Sequence, residues 1–376
     1  MDKKKILLIA NTARFLVLFE RNDMKILMDM GYEVHCASNF SGELDETDAV
    51  ETLESRGAVV HQIDIARSPL SLGNGKALRQ TVRLMEENRF DAVHCHTPMG
   101  AVLARLAARR CGIRPVIYTV HGLHFYKGAP LKNWLLYYPV ESYLSRFTDL
   151  IITINREDYS RAKRMHAKKT VYIPGIGIET KEYGPSRAVS HALREELGIS
   201  DDEIVLLTVG DLIARKNQKT AICALAKLLR KDIRYVVCGR GELMEEYEKL
   251  SEELGVRDQV LFTGYRKDIR EFYQMADIFV FPSYQEGLSV AVMEAMASGL
   301  PCILSRIRGN VDLLKDGEGG YLLDPDDAEG FAEAIRELSD SSEVRERMMR
   351  ANLKRIKEFD LARVDARMKK IYRAIL

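Results

Sequence analysis

The sequence predicts an α/β protein made of two units, each a parallel sheet covered by helices on both faces. Three observations support this fold class. The chain has 376 residues, more than the roughly 250–300 at which a single hydrophobic core stops growing. Short β-branched runs alternate with longer helical patterns, and this alternation occurs twice. The short runs are apolar at nearly every position, which is typical of strands buried on both faces.

The first half contains seven strand-like runs and the second half contains six. In order they are "KILLIA", "YEVHCAS", "AVVHQID", "DAVHCH", "PVIYTV", "LIITI" and "TVYIPG", then "IVLLTVG", "RYVVCG", "QVLFTG", "IFVFPS", "CILS" and "YLL". Stretches with helical spacing lie between them, for example "ERNDMKILMDMG", "GAVLARLAARRCG", "QKTAICALAKLLRK" and "ELMEEYEKLSEELG". From about Asp326 onward the pattern is helical alone.

The boundary between the two units is expected in "IPGIGIETKEYGPSR", a stretch without periodicity that is interrupted by Pro174, Gly175, Gly177, Gly184 and Pro185. We therefore predict one domain at 1–183 and a second at 184–359, with a helix from about 360 to 376 that packs back on the first. Because ligands of open parallel sheets bind beyond the carboxyl ends of the strands, we expect the two sheets to face each other across a cleft.

Composition indicates an ordinary folded protein in a reducing compartment. A net charge of +1 gives no sign of nucleic-acid binding. The six cysteines are scattered without a C-x-x-C pair, which favours free thiols. The first apolar run ends within about six residues, far short of the roughly 18 that span a bilayer, and it has no signal-peptide cleavage pattern. The expected location is the cytoplasm.

The segment 94–146 is unusually basic and aromatic. It carries seven Lys and Arg residues against one acidic residue, Glu141, and includes "NWLLYYPVESYL". Two interpretations have equal weight. The segment could attach the protein to the inner, anionic face of a membrane, or it could be the packed face of a helix. The two are compatible if only part of the segment is buried.

Two strand ends in the second half carry residues suited to an anion. Arg215 and Lys216 precede a helix that should start at Asn217 or Gln218. Cations there oppose the positive end of the helix dipole, so either a phosphate lies between them or they are solvated loop residues. Another strand ends in "GRGELM", where a dinucleotide fingerprint would need a third glycine at Met244. NAD binding is therefore not expected.

A third strand end leads into "EGLSVAVME", Glu286 to Glu294. Gly287 permits close backbone approach, and Ser289 is a candidate N-cap that leaves the next three amides for an anion. Glu294 lies in an otherwise apolar helix, where a carboxylate needs a partner. A capping box would place it three residues after the serine rather than five. It should therefore bind a vicinal diol such as a ribose, or form a buried ion pair.

Histidines follow two strands of the first half. His94 and His96 alternate onto one face, and His121 and His124 come close behind, a pattern that raises the question of zinc. No Asp, Glu or Cys with ligand spacing completes the set, so no metal is expected. His94 is expected to be satisfied by backbone, and His121, at a strand tip before a glycine, is the histidine expected to reach a ligand.

Taken together, these segments resemble glycosyltransferase family 4, whose members have the GT-B fold. The stretch "EGLSVAVME" matches the E-x7-E motif of retaining glycosyltransferases, and "GDLIARKN", "VVCGRGE", "FTGYRKDIREFYQMADIFVFPS" and "EAMASGLPCI" follow the family pattern. The resemblance is strongest from about Ile204 to Pro325. The stretches "HTPMGAVLARLAARR" and "HGLHFYKGAP" are similar to bacterial enzymes that build capsular polysaccharides and exopolysaccharides.

The resemblance implies roles for particular residues. Glu286 would bond the donor sugar and Glu294 the ribose, Lys216 would hold the diphosphate with help from Arg215, and His121 would stand at the reacting sugar. The remaining residues implied on the donor side are Gly239, Arg266, Gly287, Leu288, Ser289 and Val290. Family members transfer with retention and need no bound metal, and the nucleotide sugar is a substrate rather than a cofactor.

The chain departs from the family pattern at two places. Asp211 stands where many members have arginine, and "NTARFLVLF" stands where many have a Gly-Gly pair. The predicted function is transfer from a nucleotide sugar, expected to be a UDP-sugar, to a polyprenyl-diphosphate-linked acceptor. The alternatives are a sugar-nucleotide 2-epimerase, which needs further carboxylates in the first domain, and a non-catalytic nucleotide-sugar-binding subunit.

Overall fold

The computed structural model describes residues 3–41, 47–184 and 187–376. The chain divides into two compact units, residues 1–176 with 362–376, and residues 177–361. The division falls inside the predicted linker but before residue 183. Pro185, one of the predicted linker residues, lies outside the described residues. Each unit has its own sheet and its own core.

The first unit is organised around a seven-stranded sheet. Its strands are β1 (Lys5–Thr12), β2 (Glu33–Asn39), β3 (Val59–Gln62), β4 (Ala92–His96), β5 (Val116–Val120), β6 (Leu150–Thr153) and β7 (Lys169–Tyr172). They lie in the order β3-β2-β1-β4-β5-β6-β7, and every neighbouring pair is parallel. Each strand corresponds to one of the seven runs predicted from the sequence.

The second unit contains a six-stranded sheet, also parallel throughout. Its strands are β8 (Ile204–Val209), β9 (Ile233–Cys238), β10 (Val260–Gly264), β11 (Ile278–Phe281), β12 (Cys302–Ser305) and β13 (Gly320–Leu323). The order is β10-β9-β8-β11-β12-β13, so β8 and β11 are neighbours although more than sixty residues separate them. The predicted α/β class with two parallel sheets is confirmed.

The described residues form sixteen α-helices, of which the last three follow the final strand. They are α1 (Ala13–Phe19), α2 (Arg21–Asp29), α3 (Thr47–Ser55), α4 (Gly73–Asn88), α5 (Pro98–Cys111), α6 (Leu131–Ser145), α7 (Arg156–Ala162), α8 (Arg187–Glu196), α9 (Gln218–Leu228), α10 (Met244–Glu253), α11 (Ile269–Met275), α12 (Val290–Ala297), α13 (Asn310–Leu313), α14 (Ala328–Asp340), α15 (Ser342–Arg355) and α16 (Leu361–Ile375). Helix α1 was not predicted, because "ARFLVLF" has no capping residue or charge pattern to set it apart from a loop. Among the described residues, none of the helices combines the length and apolar character that crossing a bilayer requires.

Apolar strands account for both cores. Residues Ile6 to Ala10 of β1 are fully buried, because helices cover both faces of the sheet and leave neither side of the strand in water. From Ala362 onward, α16 belongs to the first unit. There, the hydroxyl of Tyr372 lies 2.8 Å from Nδ1 of His94 in β4. The C-terminal helix therefore packs on the first sheet.

Candidate active site

In the second unit, the loops that follow β8 and β11 bring two cations to one carboxylate. Glu286 is buried, and its Oε1 accepts hydrogen bonds from Lys216 Nζ at 2.8 Å and Arg215 Nη1 at 2.9 Å. Ser283 Oγ donates to the same oxygen at 2.7 Å. These loops meet because β8 and β11 are adjacent parallel strands, whose carboxyl ends lie at one edge of the sheet. The sequence analysis expected either a phosphate or solvent beside Arg215 and Lys216, whereas the structure places the carboxylate of Glu286 there.

The arrangement around Glu286 retains a net positive charge. Two cations face one carboxylate, and their side chains are 40% exposed for Arg215 and 12% exposed for Lys216. Lys216 Nζ also lies 4.7 Å from the centre of the Phe281 ring, and Arg215 donates to the carbonyl of Gln285 at 2.8 Å. Among the described residues, the hydrogen bonds given to the Glu286 carboxylate all end on Oε1. The site can therefore attract a further anion, and Glu286 Oε2 can accept from a hydroxyl.

The N-terminus of α12 is capped as predicted. Ser289 has extended backbone geometry, and its Oγ accepts from the amide of Val292 at 3.5 Å. That amide was expected to remain available for an anion, and this expectation is wrong because the cap uses it. Nearby, a Cβ added to Gly309 would lie 2.4 Å from the carbonyl oxygen of Gly287. The backbone of the two loops is therefore in direct contact beside the start of α12.

Glu294 is bound by two tyrosines. Its Oε1 accepts from the hydroxyl of Tyr183 at 2.7 Å, and its Oε2 accepts from the hydroxyl of Tyr273 at 2.9 Å. Burial raises the pKa of Glu294, although both hydrogen bonds act to lower it. The partners are phenols rather than a lysine or arginine, so the structure does not show the buried ion pair considered from the sequence. Since each carboxylate oxygen can accept two hydrogen bonds, the group retains capacity for a diol.

Gly239 lies where two loops of the second unit meet, whereas Arg266 and Asp211 make no contact with Glu286 among the described residues. Gly239 follows β9, and a Cβ there would lie 1.9 Å from the carbonyl oxygen of Gly210 after β8, so only glycine fits between these loops. Arg266 is bound by Asp268, with Nε to Oδ1 at 2.9 Å and Nη2 to Oδ2 at 2.5 Å. The side chain of Asp211 is exposed. Arg266 and Asp211 are therefore not joined to Glu286 by any contact among the described residues.

In the first unit, the structure brings Glu20 to two of the predicted histidines. Glu20 connects α1 to α2, and its Oε1 lies 3.2 Å from His96 Nδ1 and 3.8 Å from His121 Nε2. His96 Nδ1 and His121 Nε2 are 3.4 Å apart. The expectation that no carboxylate joins these histidines is therefore wrong. The only signal in the sequence is that Glu20 directly follows the apolar run "FLVLF".

Burial controls the protonation of this cluster. It raises the pKa of Glu20 and lowers the pKa of His96 and of His121, the latter to about 4. Both imidazoles are therefore neutral near pH 7. His94 stands apart, because its two ring nitrogens are occupied by Tyr372 and by Thr119 Oγ1 at 2.7 Å. Side chains satisfy His94, not the backbone that the sequence suggested.

The first unit also contains an apolar cavity of about 630 Å³ beside α6. Its walls come from the end of β1, the loop near Arg67, and helices α5 and α6: Asn11, Thr12, Arg67, Pro69, Leu70, Thr97, Pro98, Met99, Val102, His124, Leu136, Tyr137, Val140 and Glu141. Leu131 and Leu135 on the outer face of α6 are 73% and 71% exposed, whereas Trp134 packs against the core. The helix therefore has one face packed against the core and one exposed apolar face, and membrane attachment stays a prediction.

Two family models match the chain. Residues 5–155 match the model described as glycosyl transferase 4-like, and residues 189–355 match glycosyl transferases group 1. The chain is 39% identical to EpsD of Bacillus subtilis (strain 168), which is named as a glycosyltransferase, over 99% of this chain and 97% of EpsD. It is 29% identical to the Escherichia coli UDP-Gal:α-D-GlcNAc-diphosphoundecaprenol α-1,3-galactosyltransferase, over 70% of each chain.

Solved structures share the architecture. Alr3699/HepE of Anabaena superimposes with a TM-score of 0.81 at 19% identity, over 100% of both chains, and that protein was crystallised with UDP. It was also crystallised with UDP-glucose. WaaG, a glycosyltransferase involved in lipopolysaccharide biosynthesis, superimposes with a TM-score of 0.72 over 98% of this chain and 99% of WaaG. With two parallel α/β units, both family models and a full-length relative at 39% identity, the chain belongs to the group 1 and family 4-like glycosyltransferases of the GT-B fold.

Proposed function

We propose that this glycosyltransferase moves a sugar from a UDP-sugar to a polyprenyl-diphosphate-linked saccharide, with retention and without a bound metal, during exopolysaccharide or capsular polysaccharide assembly. The observation that carries the proposal is the pair of carboxylates around α12. Glu286 is held between two cations, and Glu294 is held by two phenols. Glu286 would therefore face the donor sugar beside the cations that hold its diphosphate, and Glu294 would face a diol.

The donor site follows from this pairing. Lys216 and Arg215 would bind the diphosphate, because together with Glu286 they leave one positive charge unmatched. Glu294 would accept from both hydroxyls of the ribose through the lone pairs that the tyrosines leave. Glu286 Oε2 would accept from a sugar hydroxyl, with Gly287, Leu288, Ser289 and Val290 close by at the start of α12. The UDP and UDP-glucose complexes of Anabaena HepE support this choice of nucleotide.

The proposed chemistry breaks the bond between the anomeric carbon and the diphosphate oxygen. The acceptor hydroxyl attacks from the face that the diphosphate leaves, and its proton passes to the departing phosphate oxygen. Lys216, Arg215 and the N-terminus of α12 would stabilise the negative charge that develops on the leaving group. These groups supply the role that a metal ion plays in other transferases. By its resemblance to the family, His121 would hydrogen-bond the reacting sugar.

The acceptor side rests on the cavity beside α6. An apolar space of about 630 Å³ suits part of an isoprenoid chain, and Arg67 in its wall suits a phosphate. The exposed leucines of α6 and the exposed Lys127 and Lys132 near its start would hold this face against an anionic membrane on the cytoplasmic side. The E. coli relative, by its name, acts on a diphosphoundecaprenol-linked sugar, which supports a lipid-linked acceptor here.

One assay separates the proposal from its two rivals. The protein is incubated with a panel of UDP-sugars, with a lipid-linked saccharide in detergent, and with a chelator in a parallel series. Transfer with the chelator present is the expected result. Interconversion of the UDP-sugar without transfer would favour the 2-epimerase, for which Glu20 beside His121 now offers a first-unit carboxylate. Binding of a UDP-sugar without either reaction would favour a non-catalytic subunit.

A further inference from the structure

The cluster of Glu20, His96 and His121 in the first unit differs from an ordinary hydrogen-bonded group. Three electron-pair donors, Glu20 Oε1, His96 Nδ1 and His121 Nε2, converge with separations of 3.2, 3.4 and 3.8 Å. Protons alone would satisfy all three atoms only if both histidines donated to Glu20 Oε1, and the 3.8 Å separation from His121 Nε2 is too long for a hydrogen bond. A cation at the centre of the triangle would satisfy all three atoms together.

A second cluster of the same residue types shows the contrast. Glu33, His35 and His61 also form a group, but His35 bonds Glu33 through Nε2 and His61 through Nδ1, each at 2.7 Å. Those residues form a chain in which every contact uses a different atom, and protons alone satisfy it. In the Glu20 cluster, a single nitrogen of His96 faces both partners. His96 Nε2 is buried without a hydrogen bond from any described residue, and the carboxyl group of Asp23 lies beside Glu20 in the same cavity.

The spacing fits a tetrahedral metal. Zinc binds imidazole nitrogen and carboxylate oxygen at about 2.0–2.2 Å, which places neighbouring ligand atoms about 3.3–3.5 Å apart in a tetrahedron. The three observed separations bracket that range. Two histidines and one glutamate form a known catalytic zinc set, and imidazole ligands favour Zn²⁺ and its neighbours over Mg²⁺ or Ca²⁺.

The surroundings would allow a fourth ligand. Glu20 and His121 line a small cavity of about 30 Å³, which is enough for one water molecule. The imidazole of His121 is 19% exposed, whereas Glu20 and His96 are buried, so an ion could enter from the side of His121. The ring of Phe15 lies 4.7 Å from that of His121 and provides an apolar wall.

We propose that Glu20, His96 and His121 form a binding site for a first-row transition-metal ion, Zn²⁺ in particular, and that the bound ion inhibits the enzyme. Inhibition rests on the proposed function, in which His121 bonds the reacting sugar. A metal on Nε2 would remove that nitrogen from the sugar. The metal site itself does not depend on the transferase reaction, and an enzyme that works in a chelator is consistent with an ion that inhibits.

The binding test uses the full chain, stripped with a chelator and titrated with Co²⁺ as a spectroscopic probe for Zn²⁺. The expected result is one equivalent bound, with the visible bands of a four-coordinate ion, displaced by Zn²⁺. Glu20→Gln keeps the shape of the side chain and should weaken binding at least about tenfold, while the matched control His61→Gln should bind as the unchanged protein does. If Glu20→Gln fails to fold, the partly exposed His121→Asn provides the second test.

Three outcomes would overturn the site: no visible bands at one equivalent, equal affinity in Glu20→Gln and the unchanged protein, or equal loss in the His61 control. A separate transfer assay tests inhibition, because Zn²⁺ should slow the unchanged enzyme more than Glu20→Gln. Equal sensitivity would refute the inhibitory role. If Co²⁺ binds as described but no UDP-sugar is ever transferred, the proposed function fails and the metal site stands.

Discussion

Replacing Glu294 should separate ligand binding from folding stability. Its carboxylate accepts from two tyrosines and retains capacity for two more hydrogen bonds. Hydrogen bonds to a charged group contribute about 1.5–3 kcal/mol each. Allowing for water that replaces the lost contacts, Glu294→Ala should weaken UDP binding by about 2–4 kcal/mol, or about 30- to 1000-fold in Kd. Glu294→Gln, which keeps one acceptor oxygen, should lose less, at least about tenfold.

The effect of Glu294→Gln on folding stability should differ from its effect on UDP binding. Burial raises the pKa of Glu294 above its ordinary 4.5, so folding favours the neutral acid. That contribution is complete below pH 4.5 and is lost as the pH rises through the raised folded value. Gln resembles the neutral acid, so at pH 7 Glu294→Gln should melt at or above the temperature of the unchanged protein, and its advantage should vanish at low pH.

The measurement is a melting curve with and without UDP, together with calorimetric titration, since a ligand that binds only the folded state raises Tm with occupancy. Tyr273→Phe is the matched control. It removes one hydrogen bond from the same carboxylate but keeps the charge, so UDP affinity should fall only a few-fold, within about 1 kcal/mol. If Glu294→Gln melts normally and binds UDP as tightly as the unchanged protein, Glu294 is not the ribose acceptor and the donor-site reasoning fails.

Four further changes test other parts of the molecule. Glu286→Gln should lower the transfer rate at least about 100-fold. UDP affinity should stay the same or rise, because the two cations lose their carboxylate partner. A parallel loss of UDP binding would contradict this. His121→Asn should also lower the transfer rate by about 100-fold or more. The Kd of UDP should not change, since the proposed donor residues lie in the other unit, and calorimetry on the same sample measures that Kd. Leu135→Ser should weaken sedimentation with anionic vesicles about fivefold, roughly 1 kcal/mol of apolar burial, at an unchanged Tm; equal binding would argue against membrane attachment through α6. Glu141→Ala should lower the free energy of unfolding, measured in urea, by about 3–5 kcal/mol. The reason is that Arg105 is fully buried and its Nη1 donates to Glu141 at 2.8 Å. A loss below about 1 kcal/mol would show that Arg105 finds another partner.

The sequence predicted the sheets well because strand burial is a local property. A run such as "IVLLTV" is apolar at every position, and only a strand covered on both faces accommodates that pattern. The start of α9 at Gln218 and the cap at Ser289 were equally local and equally predictable. The short helix α1 was missed because its residues are apolar without periodicity or a cap.

Partners from distant parts of the chain could not be predicted. Glu294 needed a partner on physical grounds, but nothing near it pointed to Tyr183 or Tyr273. For Arg215 and Lys216, the sequence left two possibilities open, a bound phosphate or solvated loop cations, and the structure shows a carboxylate of the chain instead. The choice of Glu286 depends on β8 and β11 being neighbours, which is a property of topology. Glu20 reaches His96 in the same way, across an order of strands that no short segment encodes.

The carboxylate held between Arg215 and Lys216 also bears on how fast the enzyme can turn over. If Arg215 and Lys216 had no carboxylate of the protein beside them, they would bind the nucleoside diphosphate product tightly. Product release would then become the slow step. Because Glu286 pairs with both cations, their positive charges remain partly neutralised when the product leaves. We therefore expect an enzyme that binds UDP only moderately and exchanges it quickly.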